Sequence, residues 1–266
     1  MNPFVNRILK FVTLTLAALL LTQPAHAGRS CESKPPDASR IAKGLTLAER
    51  TNTALNASGA KVVLLARAGQ DLSKYGLNYS HLGWAYKSGS GQWLVIHKLN
   101  TCGTAEASIY RQGLGEFFLD DPYRFETAWV VPTPDIQDRM IALLQDDRRL
   151  VTMHTKPYSI VSYVWATRYQ QSNQWALETL ALAMDGDIRT REQAQAWLKY
   201  KGYEPTTLKI DPLTRLGGRM SAANIAFDDH PNDKRFSDRI ETVTVDSMFN
   251  WFAAMKLGGA PSIVRL

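Results

Sequence analysis

Residues 81–99, HLGWAYKSGSGQWLVIHKL, constrain the fold more than any other stretch of the chain. Leu82, Trp84 and Tyr86 alternate after His81, SGSG at 88–91 supplies a turn, and QWLVIHKL resumes an apolar, β-prone pattern. Alternation, Gly-rich turn and renewed strand pattern together predict a β-hairpin. A hairpin commits the chain to antiparallel pairing, because strands joined by so short a turn cannot run parallel.

The remaining segments supply further strands and several helices. LTLAERTNTALNAS at 45–58 spaces its apolar residues as an amphipathic helix, with Gly59 as a stop, and KVVLLARAG at 61–69 reads as a buried strand. TAWVVP at 127–132 is another short strand closed by Pro132. TPDIQDRMIALLQDDRRL then offers Thr133 as N-cap, Pro134 at the first helical position, and Arg148 and Arg149 at the end. YSIVSYVWA at 158–166 is rich in β-branched and aromatic residues and reads as a strand. SNQWALETLALAM from Ser172 reads as a helix ending near Gly186, and TREQAQAWLKYKG as a helix capped by Thr190 and stopped by Gly202. FDDHPNDKRFSD at 227–238 is a polar loop, and TVTVDSMFNWFAAM a short strand followed by a helix. Helices around a largely antiparallel sheet make the expected class α+β.

At the N-terminus Arg7 and Lys10 precede the apolar run FVTLTLAALLLT, which ends in Ala25, His26 and Ala27. This is the pattern of a secretory signal peptide, too short for an ordinary membrane span, and it predicts cleavage after Ala27. Residues 28–266 then form one α+β domain in the periplasm or outside the cell, with no transmembrane span. Cleavage lowers the formal charge of +6 by two and leaves no dense basic run, so nucleic acid is not an expected partner. Cys31 and Cys102 are the only cysteines. In an oxidising compartment an even count is expected to pair, which would stabilise the fold by about 4 kcal/mol on the chain-entropy view.

The hairpin carries a histidine on each arm. A three- or five-residue loop centred on Gly89 sets His81 and His97 opposite one another, with Cβ atoms about 5 Å apart. A two-residue Gly89, Ser90 turn sends them to opposite faces instead, and the sequence is compatible with both registers. Two imidazoles on one face suit chemistry better than packing, since a buried ring must find partners for both nitrogens. What the pair lacks is a nucleophile.

SHLGWAY, a turn, then WLVIHKLN resembles the His-strand-turn-strand-His signature of the circularly permuted papain-like proteins, which include the lecithin:retinol acyltransferase group and permuted relatives of the NlpC/P60 cell-wall peptidases. The resemblance implies that His81 is the base and His97 its orienter, with a nucleophile at the start of a later helix. In YQQSNQWALETLA the residue at that place is Ser172, where the superfamily has cysteine. A cysteine there gains acidity from the helix dipole, whereas a serine hydroxyl depends wholly on the base. Ser172 is also a good N-cap residue, so a purely structural role is open to it.

The enzyme reading is an acyl transferase or hydrolase of an envelope amide or ester, such as a peptidoglycan peptide or a lipid acyl group. Ser172 attacks, His81 moves the proton, His97 steadies the imidazolium and a backbone N–H at the helix start holds the oxyanion. The alternative is a non-catalytic binding module that kept the cleft when the cysteine was lost.

GQDLSKYGLNYSHLGWAY, NTCGT, FFLDD, YQQSNQW, PLTRLGGRMSAANIAFDDHP and VTVDSMFNW are, over most of the domain, similar to a family of uncharacterised secreted bacterial proteins known by a domain-of-unknown-function label. That resemblance implies no activity.

Lesser candidates are Cys102 as nucleophile near His97, and a metal site joining His81, His97 and His230 to Asp228 or Asp229. No HxxxH or HxH spacing supports the metal, and DDHP reads as a solvated turn. Asp120 and Asp121 can set a carboxylate at the site rim, and Tyr79 and Ser80 can line its cleft. No cofactor motif is present: Gly217 and Gly218 lack the strand-loop-helix context of a phosphate loop.

Overall fold

The computed structural model describes residues 37–120 and 122–266. The expected leader, Cys31 and Asp121 lie outside the described residues. Strands β1 (Val62–Arg67), β2 (His81–Lys87), β3 (Trp93–Asn100), β4 (Ala107–Gly113), β5 (Glu126–Val130) and β8 (Ser262–Arg265) form one sheet in the order β4-β3-β2-β1-β5-β8, every neighbouring pair antiparallel. β6 (Thr206–Lys209) and β7 (Arg239–Thr242) pair by themselves. The helices are α1 (Ala38–Ala57), α2 (Leu114–Leu119), α3 (Pro134–Leu144), α4 (Asp147–Leu150), α5 (Ser172–Met184), α6 (Arg191–Tyr200), α7 (Pro212–Ser221), α8 (Asn232–Arg235) and α9 (Val245–Ala254). The class is α+β, as expected.

Both faces of the sheet are covered. Side chains alternate along a strand, so Val63, Leu65, Ala85 and Val95 face Leu47 and Leu55 of α1 and Phe117 and Phe118 of α2. Val62, Leu64, Leu82, Trp84 and Ile96 face the opposite way, toward Met140 of α3, Trp175 and Leu180 of α5 and Phe252 of α9. Each large side chain so buried contributes roughly 1.5–3 kcal/mol. The Trp84 indole also donates to the Ala176 carbonyl at 3.0 Å, which anchors α5 on this second face.

The hairpin has a third register. Trp84 pairs with Ile96, Ala85 with Val95, Tyr86 with Leu94 and Lys87 with Trp93, a pattern symmetric about Ser90 rather than Gly89. Ser88 N–H closes the loop on the Gln92 carbonyl at 2.7 Å. Gly91 takes a left-handed φ of 83°, which glycine adopts without strain, so the three-residue loop is Gly89, Ser90, Gly91.

Other boundaries differ for local reasons. α1 begins before Leu45, at an Asp37 cap, and runs through Gly44. That glycine lets the helix approach α2: a Cβ there would sit 2.8 Å from Leu119 Cδ2 and 3.3 Å from the Phe118 carbonyl. The helix expected over 133–150 is two, because Asp146 leaves helical geometry and its carboxylate accepts from the N–H groups of Arg148 and Arg149 to start α4. Residues 158–166 are not a strand. Their backbone groups bond to side chains and to other loops, including Ile160 N–H to the Asn224 carbonyl at 2.9 Å and Tyr163 N–H to Asp229 at 2.8 Å. β-branched content marks a partly buried surface, which an irregular segment also satisfies once its backbone finds such partners.

Candidate functional site

His81 and His97 meet on the face covered by α1 and α2. In the observed register His97 lies across from Gly83, and His81 lies diagonally from it. Gly83 makes this possible: a Cβ at that position would sit 2.8 Å from His97 Cβ and 2.8 Å from the Ile96 carbonyl. The rings approach with His81 Nε2 2.8 Å from His97 Nδ1, and His97 Nε2 lies 2.8 Å from Gln112 Oε1 on β4.

These contacts set the tautomers. A carboxamide oxygen only accepts, so His97 carries its proton on Nε2 and its Nδ1 is a lone pair. His81 therefore donates from Nε2, which leaves its Nδ1 as the bare nitrogen. Both rings pack on Phe117, with centroids 5.9 and 5.2 Å from its ring. The Arg67 guanidinium, 4.9 Å over the same ring, donates to the Phe117 carbonyl and to Asp120.

The electrostatics favour neutral rings. Burial, then the Arg67 charge and His97 itself, hold His81 well below the usual histidine range. Burial and Arg67 push His97 down to about 4, against smaller opposing effects of Gln112 and Asp120. Asp120 therefore stands at the rim of the histidine cluster, one guanidinium away.

Ser172 stands elsewhere. The N-cap of α5 is Gln171, whose side chain accepts from Asn173 N–H at 3.1 Å, and Ser172 is the first helical residue. It is buried beside Tyr158, at the start of a helix whose later residues pack on Leu82 and Trp84. Burial raises the Tyr158 hydroxyl's pKa, while the Ser172 hydroxyl and backbone N–H act the other way. The α5 residue that reaches β2 is Asn173, which accepts from Leu82 N–H at 3.1 Å and donates to the Ser80 carbonyl at 3.5 Å. The fold thus joins His81 to His97, and among the described residues no hydrogen bond joins Ser172 to either of them.

Tyr79 and Ser80 have structural partners. Tyr79 donates to Glu126 at 2.6 Å, and Ser80 Oγ accepts from the N–H groups of Gly69 and Gln70. Asp229 and His230 are not a solvated turn. Both side chains are fully buried, with His230 Nδ1 2.9 Å from Asp229 Oδ1, and they pack on Tyr163 and Phe227, in a different part of the core from His81 and His97. Among the described residues no three His, Cys, Asp or Glu side chains are grouped to hold a metal ion. Cys102 lies in the exposed turn after β3.

A second buried polar network was missed in the sequence. Lys98, next to His97 but on the α5 side, is fully buried and donates to the Thr155 carbonyl and to Gln170 Oε1. Burial, aided by Arg191 and opposed by Glu178, lowers its pKa to about 6. Glu178 accepts from Arg191 at 2.7 and 3.1 Å, from Gln170 at 2.6 Å and from Gln195 at 2.7 Å. The same side chains cap the carbonyls of the irregular 151–171 segment: Gln170 that of Met153, Gln174 that of Val164, and Arg191 those of Thr167 and Tyr169. The available signal was five consecutive polar residues, Gln170 to Gln174, opening an otherwise apolar helix.

No curated protein and no solved structure matched the chain. A family described as "Uncharacterized protein conserved in bacteria (DUF2145)" matches residues 54–252, which takes in the hairpin, the histidine cluster and the α5 network, and the chain belongs to that family.

Proposed function

We propose that this chain is a non-catalytic binding module of the bacterial envelope, built on a permuted papain-like scaffold whose nucleophile has been lost. The observation that carries the reading is the direction of the histidine pair. His81 Nε2 is turned to His97 Nδ1 and its ring packs on Phe117 of α2, whereas the helix that Ser172 opens packs on the opposite face of the sheet. General-base activation needs nucleophile and base within hydrogen-bond reach, about 2.6–3.2 Å and looser in a free enzyme. Neither histidine makes a hydrogen bond with Ser172 among those of the described residues. The papain-like part of the reading is supported by chain order, with the two histidine strands first and a buried helix following whose start touches β2. The envelope location is supported by the leader-like residues 7–27.

Treatment of the protein with a fluorophosphonate probe is the test, with a known serine hydrolase as positive control. The expected result is no labelling. Labelling that is lost in Ser172→Ala would overturn the module in favour of a serine acyl-transfer enzyme.

A further inference from the structure

Helix α7 (Pro212–Ser221) presents its apolar face outward. Asp211 caps it by accepting from Thr214 N–H at 3.0 Å, and Pro212 opens it. The side that packs on the protein is polar: Arg215 is the buried residue of the helix, donating to the Arg235 carbonyl at 2.7 Å with its guanidinium 5.8 Å over the Phe227 ring. Leu213, Leu216 and Met220 instead stand in solvent, 80%, 55% and 65% exposed. We infer that this face of α7 binds the same face of a second copy of the chain, antiparallel, across a two-fold axis passing between residues 216 and 217. The inference goes beyond the reading of the histidine pair and does not depend on it, and three observations carry it.

The first is spacing. Leu213, Leu216, Gly217 and Met220 recur at i, i+3, i+4 and i+7, which sets them on one stripe along the helix. A surface helix ordinarily turns such a stripe to the core. Here the inner side is taken by Arg215 and by Gly218, where a Cβ would sit 3.3 Å from Ile225 Cδ1. The apolar stripe is left facing outward, where only association removes it from water.

The second is Gly217. Glycine inside a helix is less stable than alanine, because ordering it costs more backbone freedom. Contact with Ile225 accounts for Gly218, but a Cβ at Gly217 would meet nothing within 4 Å. Nothing among the described residues therefore requires the glycine. Its missing side chain leaves a hole in the middle of the stripe, bordered by Leu213, Leu216 and Met220. A fluid lipid surface needs no such hole, whereas a packed protein contact needs one for each knob it seats.

The third is self-complementarity. The knob beside the hole is Leu216. The two-fold axis lays each Leu216 over the other copy's Gly217 and each Leu213 over the other copy's Met220, the reciprocal pairing that an isologous contact demands. Arg219 lies on the flank of the stripe and stays exposed at the rim. Three apolar side chains cover much less than the roughly 800 Å² per partner of a standard stable interface, so the dimer is weak and reversible and fills at high protein concentration.

Sedimentation velocity on the protein, from dilute to near-millimolar concentration, is the test. The average mass is expected to rise from one chain toward two, and Leu216→Glu to hold it at one. Gly217→Ala separates the contact from the fold: it should leave the urea midpoint unchanged or higher while weakening association about tenfold, because its methyl fills the hole. Under mild oxidation, Leu213→Cys chains should couple to Met220→Cys chains faster than either couples to itself. Tyr200→Glu, at an exposed residue of α6, is the control that keeps wild-type association. A chain that stays monomeric at every concentration overturns the inference, as does an equal loss in Tyr200→Glu, a lower urea midpoint in Gly217→Ala or equal rates of coupling. Capture of the protein by phosphatidylglycerol vesicles, lost in Leu216→Glu and without association between chains, would overturn it in favour of a lipid surface.

Discussion

Gly83 is the residue on which the histidine pair depends. Any side chain there meets His97 Cβ and the Ile96 carbonyl at 2.8 Å, inside van der Waals contact. Gly83→Ala is expected to destabilise the protein by about 1–3 kcal/mol, the usual cost of overpacking, read as a lower urea midpoint at unchanged slope. An unchanged midpoint would show that β2 and β3 can separate without loss. His97 itself should give the protein a pH dependence. Its folded pKa, about 4, lies below the ordinary value near 6.5, so the unfolded chain takes up the proton first as pH falls. The stability tied to this group is therefore complete above about pH 6.5 and is lost as pH falls toward 4. Urea midpoints between pH 7 and pH 4.5 should fall less steeply in His97→Gln, and parallel curves would contradict the assignment.

Among the elements, α5 has two functions along its length. Its apolar residues from Trp175 onward pack on the sheet, while its Gln174 and Glu178 side chains, the latter through Gln170 just before the helix, pin the 151–171 segment. Glu178→Gln keeps the shape and leaves Arg191 buried without its counter-charge, which is expected to cost about 3–5 kcal/mol. Proteolysis in native buffer should then cut within 151–171 sooner than in wild type, and an unaltered digestion pattern would count against the pinning role. This was also where element prediction failed. Residues 158–166 carry strand-like composition, but the partners that hold them include Asn224 and Asp229, far along the chain, as well as the Gln174 side chain of α5. Local pattern cannot register such partners. Where the deciding forces are local, as at the Thr190 cap with Gln193 or the positive φ of Gly59 and Gly202, the expected boundaries hold.

Across the whole molecule, the β6–β7 pair and its loops form a satellite around Leu208, Ile210, Phe227 and Ile240, apart from the two main cores. Backbone and side-chain bonds tie this satellite to residues 159–168, through Ser159 to Ala226, Ile160 to Asn224, and Arg168 to Asp228. The two regions should open together, at a free energy below that of the sheet. Ile240→Ala is expected to speed amide hydrogen exchange in both 158–168 and 205–241 while β1, β2 and β3 keep wild-type protection. Faster exchange confined to 205–241 would show that they are independent.

The sequence by itself determined the class, the hairpin, most helix ends and the presence of two histidines on neighbouring strands, because period, caps and turn glycines act within a few residues of where they are read. Only the tertiary structure decided which way those histidines face and what faces them. A strand exposes alternate residues to opposite sides, so one step of register chooses between α2 and α5 as neighbour. The loop centred on Ser90 brings His81 and His97 together against Phe117, while α5, the helix that Ser172 opens, packs on Trp84 on the other face.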